Sequence, residues 1–318
     1  MRILFMGTPS LAAECLKKIY EKEGVIVVGV LTQTDKPKGR SMKLTPSPVK
    51  ELALMYGIPV YQPKTLRDGA FREELERLDP EMIIVAAYGK ILPDYVLDYP
   101  KYGCINAHGS LLPKYRGAAP IQRAVIDGER ETGITAMYMD AGIDTGDIIK
   151  KYPCTIDPEE DFGSLYDRLA VIAGEAMCDV IDMAESGRVP REPQTGESSC
   201  AAKIEKEDTV VDFTKTAREI KNLVRGLSPA PLAVTRLPDG KLLKITRAAV
   251  PENAECAENN AVPGQVVSLD THGAGYIGVK CADGVVLFTG VVPEGKKPMS
   301  ASDFIRGRKI NEGDVLKY

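Results

Sequence analysis

Histidine and paired cysteine are what this sequence has least of. Only His108 and His272 occur in 318 residues, and one histidine with scattered aspartates does not make a zinc site, so no metal is expected. The cysteines, Cys15, Cys104, Cys154, Cys178, Cys200, Cys256 and Cys281, are odd in number and form no CxxC pair. That excludes zinc ribbons and thioredoxin-like motifs and leaves buried free thiols as the expectation. No apolar run approaches the length of a membrane span. The opening MRILFMGTPS runs straight into a strand without a signal-peptide core. No membrane association and a cytoplasmic location are therefore expected. The glycine after that strand stands alone in MGTPSLA, with no G-x-G-x-x-G, and no G-x-x-x-x-G-K-[ST] follows elsewhere. Nicotinamide and nucleoside-triphosphate chemistry lose their support. Excess positive charge is lacking too: the net charge is −4, which argues against generic nucleic-acid binding.

What is present is strand–helix alternation. Arg2–Met6, Val25–Leu31, Ile58–Tyr61, Met82–Ala87 and Gly103–Ala107 are short apolar runs, separated by helical patterns at Leu11–Glu21, Pro48–Tyr56 and Ala70–Leu78. Near-continuous apolar strands belong to a parallel sheet covered on both faces. The expected architecture is an α/β, doubly wound (Rossmann-like) domain. Two more strands, Ile134–Met139 and Ile148–Tyr152, and a long helix from Phe162 to Ala184 complete it. A length of 318 residues favours two domains, because single cores stop growing near ~250–300 residues. After Ser186 the chain turns rich in Pro, Gly and Ser, and then into one helix and many short strands with turns at Pro238–Gly240 and Ala282–Gly284. The expected organisation is a catalytic domain over 1–187, a linker over 188–207 and an OB-fold-like β-barrel over 208–318.

Chemistry concentrates in CINAHGSLLPKYRGAAP, Cys104–Pro120. Asn106 and His108 are two apart on a strand, hence on one face, near the strand's C-terminal end, where open α/β sheets bind ligands. An asparagine amide donates to a carbonyl oxygen, and imidazole donates or exchanges a proton. His272 sits in the polar turn LDTHGAG and reads as a solvated loop residue. MDAGIDTGDII carries Asp140, Asp144 and Asp147; some must make turns, and Asp144, between two glycines, is the one placed to reach and orient His108.

Asn106-x-His108, Ser110–Pro113, Tyr115–Gly117 and Asp144, in this order and spacing, resemble the folate-dependent formyltransferase family. FMGTPS, the basic segment Asp35–Lys50, VAAYGKILP at Val85–Pro93 and CAAKIEKED resemble its tRNA-acting branch, so the likeness runs over the whole chain. It departs at RGLSPAP (Arg225–Pro231), where many relatives carry a tryptophan and this chain has none. The resemblance implies 10-formyltetrahydrofolate as donor and methionyl initiator tRNA as acceptor, with Asn106, His108 and Asp144 catalytic. No sustained apolar heptads or obvious exposed strand are evident, so a monomer is expected. The resemblance implies a folate pocket lined by Ala86, Tyr88, Gly89, Ile91 and Leu92 and by Ser110, Leu111, Leu112 and Pro113. It also implies tRNA contacts from Lys38, Arg40 and Lys43, with further basic residues, Arg308 among them, on the C-terminal barrel. Two alternatives share the catalytic set: transfer to a small amine such as an amino sugar or glycinamide ribonucleotide, and hydrolysis of the donor.

Overall fold

A computed structural model describes residues 1–38, 43–251, 261–307 and 309–317. It divides into two compact units. The first holds residues 1–120, 131–155 and 166–202, and the second 121–130, 156–165 and 203–318. The segment expected as a linker is thereby split between them at Ala202.

In the first unit, β1 (Arg2–Gly7), α1 (Ser10–Tyr20), β2 (Ile26–Leu31), a hairpin of β3 (Lys36–Lys38) and β4 (Lys43–Thr45), α2 (Pro48–Met55) and β5 (Val60–Tyr61) come first. They are followed by α3 (Arg72–Leu78), β6 (Met82–Ala86), α4 (Asp94–Leu97) and β7 (Cys104–His108). Then come α5 (Pro120–Ile126), β8 (Glu131–Tyr138), β9 (Ile148–Thr155) and α6 (Phe162–Glu185). One sheet runs β5-β2-β1-β6-β7-β8-β9. Its first five strands are parallel, as the apolar runs require: Ile3, Leu4, Phe5 and Met6 are fully buried, which only a sheet covered on both faces achieves. β8 and β9 are antiparallel to their neighbours. The nine residues between them are too few for a parallel crossover, which needs a dozen or more. Strand order reverses between β1 and β6, so the loops after β1, β6 and β7 open on one edge, where such sheets hold ligands.

Local signals explain the helices. α1 buries Leu11, Cys15, Leu16 and Ile19 along one face and ends with Lys17 and Lys18 on its negative pole. α2 starts on Ser47, whose side chain accepts from the Lys50 amide, with Pro48 as its first residue.

In the second unit, α7 (Ala217–Gly226) begins with a complete capping box between Thr216 and Glu219. It is followed by β10 (Ala233–Arg236), β11 (Leu242–Ala249), β12 (Val266–Asp270), β13 (Tyr276–Cys281), β14 (Gly284–Pro293), β15 (Met299–Ser300) and α8 (Ala301–Arg306), and packs on β11 and β14. The sheet is antiparallel, in the order β10-β11-β14-β13-β12. The end of the chain joins its two edges: Lys317 pairs with Arg236 and Val315 with Gln265, giving the expected barrel. Its core centres on Leu243, Ile245, Ile277, Phe288 and Phe304. The helix α8 was not foreseen. Buried Arg225 gathers the carbonyls of Val125, Asp157 and Glu160, and burial lowers its pKa.

The buried-thiol expectation holds for Cys15, Cys104, Cys154 and Cys281. It is corrected at Cys178, which is half-buried, and Cys200, which is exposed. Cys256 lies outside the described residues. Among the described residues no helix is long and apolar enough to cross a membrane.

Candidate active site

Strand β7 delivers the two central side chains. Asn106 pairs in register with Val85 of β6 and His108 with Thr135 of β8. Asn106 is half-buried, and its side-chain amide makes no hydrogen bond among the described residues, so both its N–H groups and its oxygen stand ready for a ligand. His108 is 5% exposed. Its Nε2 lies 2.9 Å from the Tyr115 carbonyl oxygen, and its Nδ1 lies 3.5 Å from Asp144 Oδ2. A carbonyl only accepts, so Nε2 carries a proton. The Asp144 carboxylate stands on the other side of the ring, at ion-pair rather than hydrogen-bond distance.

The Asp144 loop is ordered residue by residue. Asp140 accepts from the Gly142 amide and the Thr145 hydroxyl, both through Oδ1. Asp147 pairs with Arg191 at 3.3 Å on the surface. These are the turn and surface roles. Asp144 itself has φ 52°, a left-handed conformation that is uncommon outside glycine, and its Oδ2 accepts from the Gly117 amide at 2.8 Å. Oδ1 has no hydrogen-bond partner among the described residues. Gly146 lets the loop close: a Cβ there would meet the Tyr138 carbonyl oxygen at 2.0 Å.

Residues 192–201 lie against this corner, which the linker reading missed. Gln194 donates to the carbonyls of Asp144 and Gly146, both at 2.9 Å, and accepts from Arg116 Nε and Nη2. Ser199 Oγ accepts from the Tyr115 amide at 2.9 Å. The Arg116 amide donates to the Ser199 carbonyl, and the Arg116 carbonyl accepts from the Ala201 amide. Gly117, at φ 122°, makes room for the segment, since a Cβ there would sit 2.7 Å from the Ala201 carbonyl oxygen. The composition around Gln194, REPQTGESS, signals only a loop.

The residues expected to line a folate pocket fall into two sets. Tyr88, Leu92, Ser110 and Leu112 are buried, as is Ala86 at the end of β6. The Ser110 hydroxyl donates to the Lys114 carbonyl, and Leu112 packs on Met137 and Ile148. The Tyr88 hydroxyl is buried without a partner, and burial pushes its pKa up to about 12. Ile91, by contrast, is 62% exposed, and Leu111 and Pro113 are half-buried. Gly89, at φ 74°, abuts the Gln33 amide, which donates to the Tyr88 carbonyl at 3.0 Å.

A cavity of about 210 Å³ opens at the ends of β1 and β2, between Thr8, Gln33, Lys36, Thr45 and Ser47, and His108 does not line it. It lies against the root of the β3–β4 hairpin. There Lys50 Nζ donates to Asp35 and Gln62, and Gln62 donates to Asp35 and to the Gln33 carbonyl. Lys38 and Lys43 are partners in the hairpin backbone. Arg40 lies outside the described residues, as does Arg308 in the second unit. His272 is 96% exposed beside Asp270, a surface residue as its sequence suggests.

A strand-borne Asn and His backed by a loop carboxylate, at the open edge of the sheet, bring hydrogen-bond donors and a proton acceptor together as transfer of an acyl group requires. The family model "Formyl transferase" matches residues 1–181, and "Formyl transferase, C-terminal domain" matches residues 203–309. The methionyl-tRNA formyltransferase of Pelotomaculum thermopropionicum is 46% identical, covering 99% of this chain and 98% of its own. That of Geotalea uraniireducens is 44% identical, covering 99% and 98%. Among solved structures, an N-formyltransferase from Helicobacter canadensis, in complex with folinic acid and dTDP-3-aminofucose, shares the fold with a TM-score of 0.66 at 19% identity, over 90% of this chain and 98% of its own. The chain belongs to the formyl transferase family, among the methionyl-tRNA formyltransferases.

Proposed function

We propose that this protein transfers the formyl group of 10-formyltetrahydrofolate to the free amino group of methionyl initiator tRNA. The observation that carries the chemistry is the corner itself: an open Asn106 amide beside a His108 ring held between the Tyr115 carbonyl and Asp144. The acceptor amine attacks the formyl carbon, and its C=O electron pair moves onto oxygen. Asn106 N–H and His108 Nδ1–H, which Asp144 holds only loosely at 3.5 Å, receive that oxyanion. A preorganised donor of this kind is worth ~3–4 kcal/mol of barrier. Once the C–N bond has formed, the amine nitrogen is cationic, and the proton it sheds passes to Asp144, whose Oδ1 makes no hydrogen bond among the described residues, directly or through water. Collapse of the intermediate restores C=O and breaks the bond to the folate nitrogen, which takes back the proton held by Asp144, directly or through water, as it leaves. Backbone at 87–91 and the side chains of Ile91, Leu111 and Pro113 are the groups free to touch the pterin, while Tyr88, Ser110 and Leu112 shape the pocket from behind.

The acceptor assignment draws on the relatives' names, on the basic hairpin carrying Lys38, Arg40 and Lys43, and on the presence of a second unit. The fold likeness to an amino-sugar N-formyltransferase favours a second reading, a small-amine acceptor. Incubating the protein with 10-formyltetrahydrofolate and either methionyl initiator tRNA, methionyl elongator tRNA or dTDP-3-aminofucose separates the two. Formylmethionyl initiator tRNA as the dominant product is expected. A formylated sugar, or donor loss without any formylated acceptor, would replace this reading with small-amine transfer or hydrolysis.

A further inference from the structure

Both neighbours of the His108 ring are themselves held by the chain that follows α6. The Tyr115 carbonyl that accepts from Nε2 belongs to a residue whose amide donates to Ser199 Oγ. The Asp144 carboxylate that faces Nδ1 belongs to a residue whose carbonyl accepts from Gln194. Gln194 uses its full hydrogen-bonding capacity. Its two N–H groups go to Asp144 and Gly146, and its oxygen takes both Arg116 bonds. It thus rivets the 115–117 turn, whose Gly117 amide holds Asp144 Oδ2, to the loop that bears Asp144. A left-handed aspartate persists only where its surroundings over-determine it, and Gln194 supplies two of the bonds that do so here.

We propose that Gln194, seconded by Ser199, is a positioning residue of the active site, acting through Asp144 and Tyr115 on the orientation of the His108 ring. The inference builds on the formyl-transfer reading above. It makes residues 192–201 a strap that completes the site, although they are read from composition as a linker. Misplacing a catalytic group by about 1 Å costs up to ~100-fold in rate, which sets the scale expected when the rivet is removed.

The chain's two histidines make the test direct. Imidazole proton–nitrogen spectra contain one pair of signals from His108 and one from His272, the latter exposed beside Asp270 and so an internal control. In Gln194→Ala the His108 signals should move and the His272 signals stay. Turnover should fall ~10–100-fold, while direct binding of 10-formyltetrahydrofolate stays within about twofold of wild type. Gln194→Glu keeps the size of the side chain and an acceptor for Arg116 but cannot donate to Asp144 and Gly146. It should behave likewise, and it decides the matter should the alanine variant fail to fold. In an Asp144→Asn background, Gln194→Ala should cost little more, because groups acting through one another are non-additive. An unchanged His108 spectrum with wild-type turnover, in either single variant, overturns the inference. Since the spectra need no acceptor, a wild-type protein that formylates no tRNA would sink the functional reading alone and leave this one decided by His108.

Discussion

The catalytic corner and the basic hairpin follow parallel strands of one sheet, β7 and β2, yet they are built in opposite ways. At the corner two groups are fixed from two sides each: His108 by Tyr115 and Asp144, Asp144 by Gly117 and Gln194. The hairpin is tied at its root, by Asp35, Lys50 and Gln62, and Lys38, Arg40 and Lys43 follow that knot in the sequence. Formyl transfer asks for donors already aimed at a developing oxyanion. Phosphate contact asks for charge delivered to a polyanion, which tolerates looser geometry. The difference teaches where each kind of damage should appear: in turnover at the corner, and in acceptor affinity at the hairpin.

The largest effect should come from the corner. Asp144→Asn keeps the shape but cannot take the amine's proton, and Asn106→Ala removes an oxyanion donor. Each should lower kcat by ~10²–10³-fold with little change in the KM of either substrate, read in steady-state formyl transfer. A rise in acceptor KM at constant kcat would erase the distinction between the two regions. Next comes Arg40→Ala, expected to raise the tRNA KM by about tenfold and to flatten its dependence on salt by about one unit of slope, with the folate KM unmoved. Asp35→Asn, at the root, should act in the same direction by a few-fold, since it loosens the hairpin without removing a charge that meets phosphate.

The smallest effect is one of pH. The Lys50 hydrogen bond, with that of Gln62 after it, holds the Asp35 carboxyl below the ordinary aspartate range. A depressed carboxylate contributes its stabilisation above the unfolded value, about 4, and loses it only as pH falls through the lower folded value. The hairpin root should therefore leave acceptor KM flat between about pH 5 and 8. A root-dependent rise inside that window, absent in Asp35→Asn, would mean the knot is weaker than its geometry indicates.

Much of this was legible in the sequence, for reasons that can be named. β1 and β6 read correctly because strands buried on both faces leave unbroken apolar runs. Asn106 and His108 stood out because histidine is rare here and the pair ends a strand. The direction of β8 and β9 left no mark in residue types. The β3–β4 hairpin and α8 were missed because the one is short and charged and the other a single turn and a half beside a strand. Gln194 and Ser199 were invisible because their work is done by side-chain bonds to backbone groups far along the chain. Such bonds impose no periodicity, and Pro, Gly and Ser around them look like any loop.

The central claim, that His108 between Asn106 and Asp144 carries the transfer, is tested most directly by His108→Ala. Formyl transfer to methionyl initiator tRNA and equilibrium binding of 10-formyltetrahydrofolate should be measured side by side. The account predicts transfer reduced by ~10³-fold or more, with donor binding within about twofold of wild type. Transfer within about tenfold of wild type would contradict it.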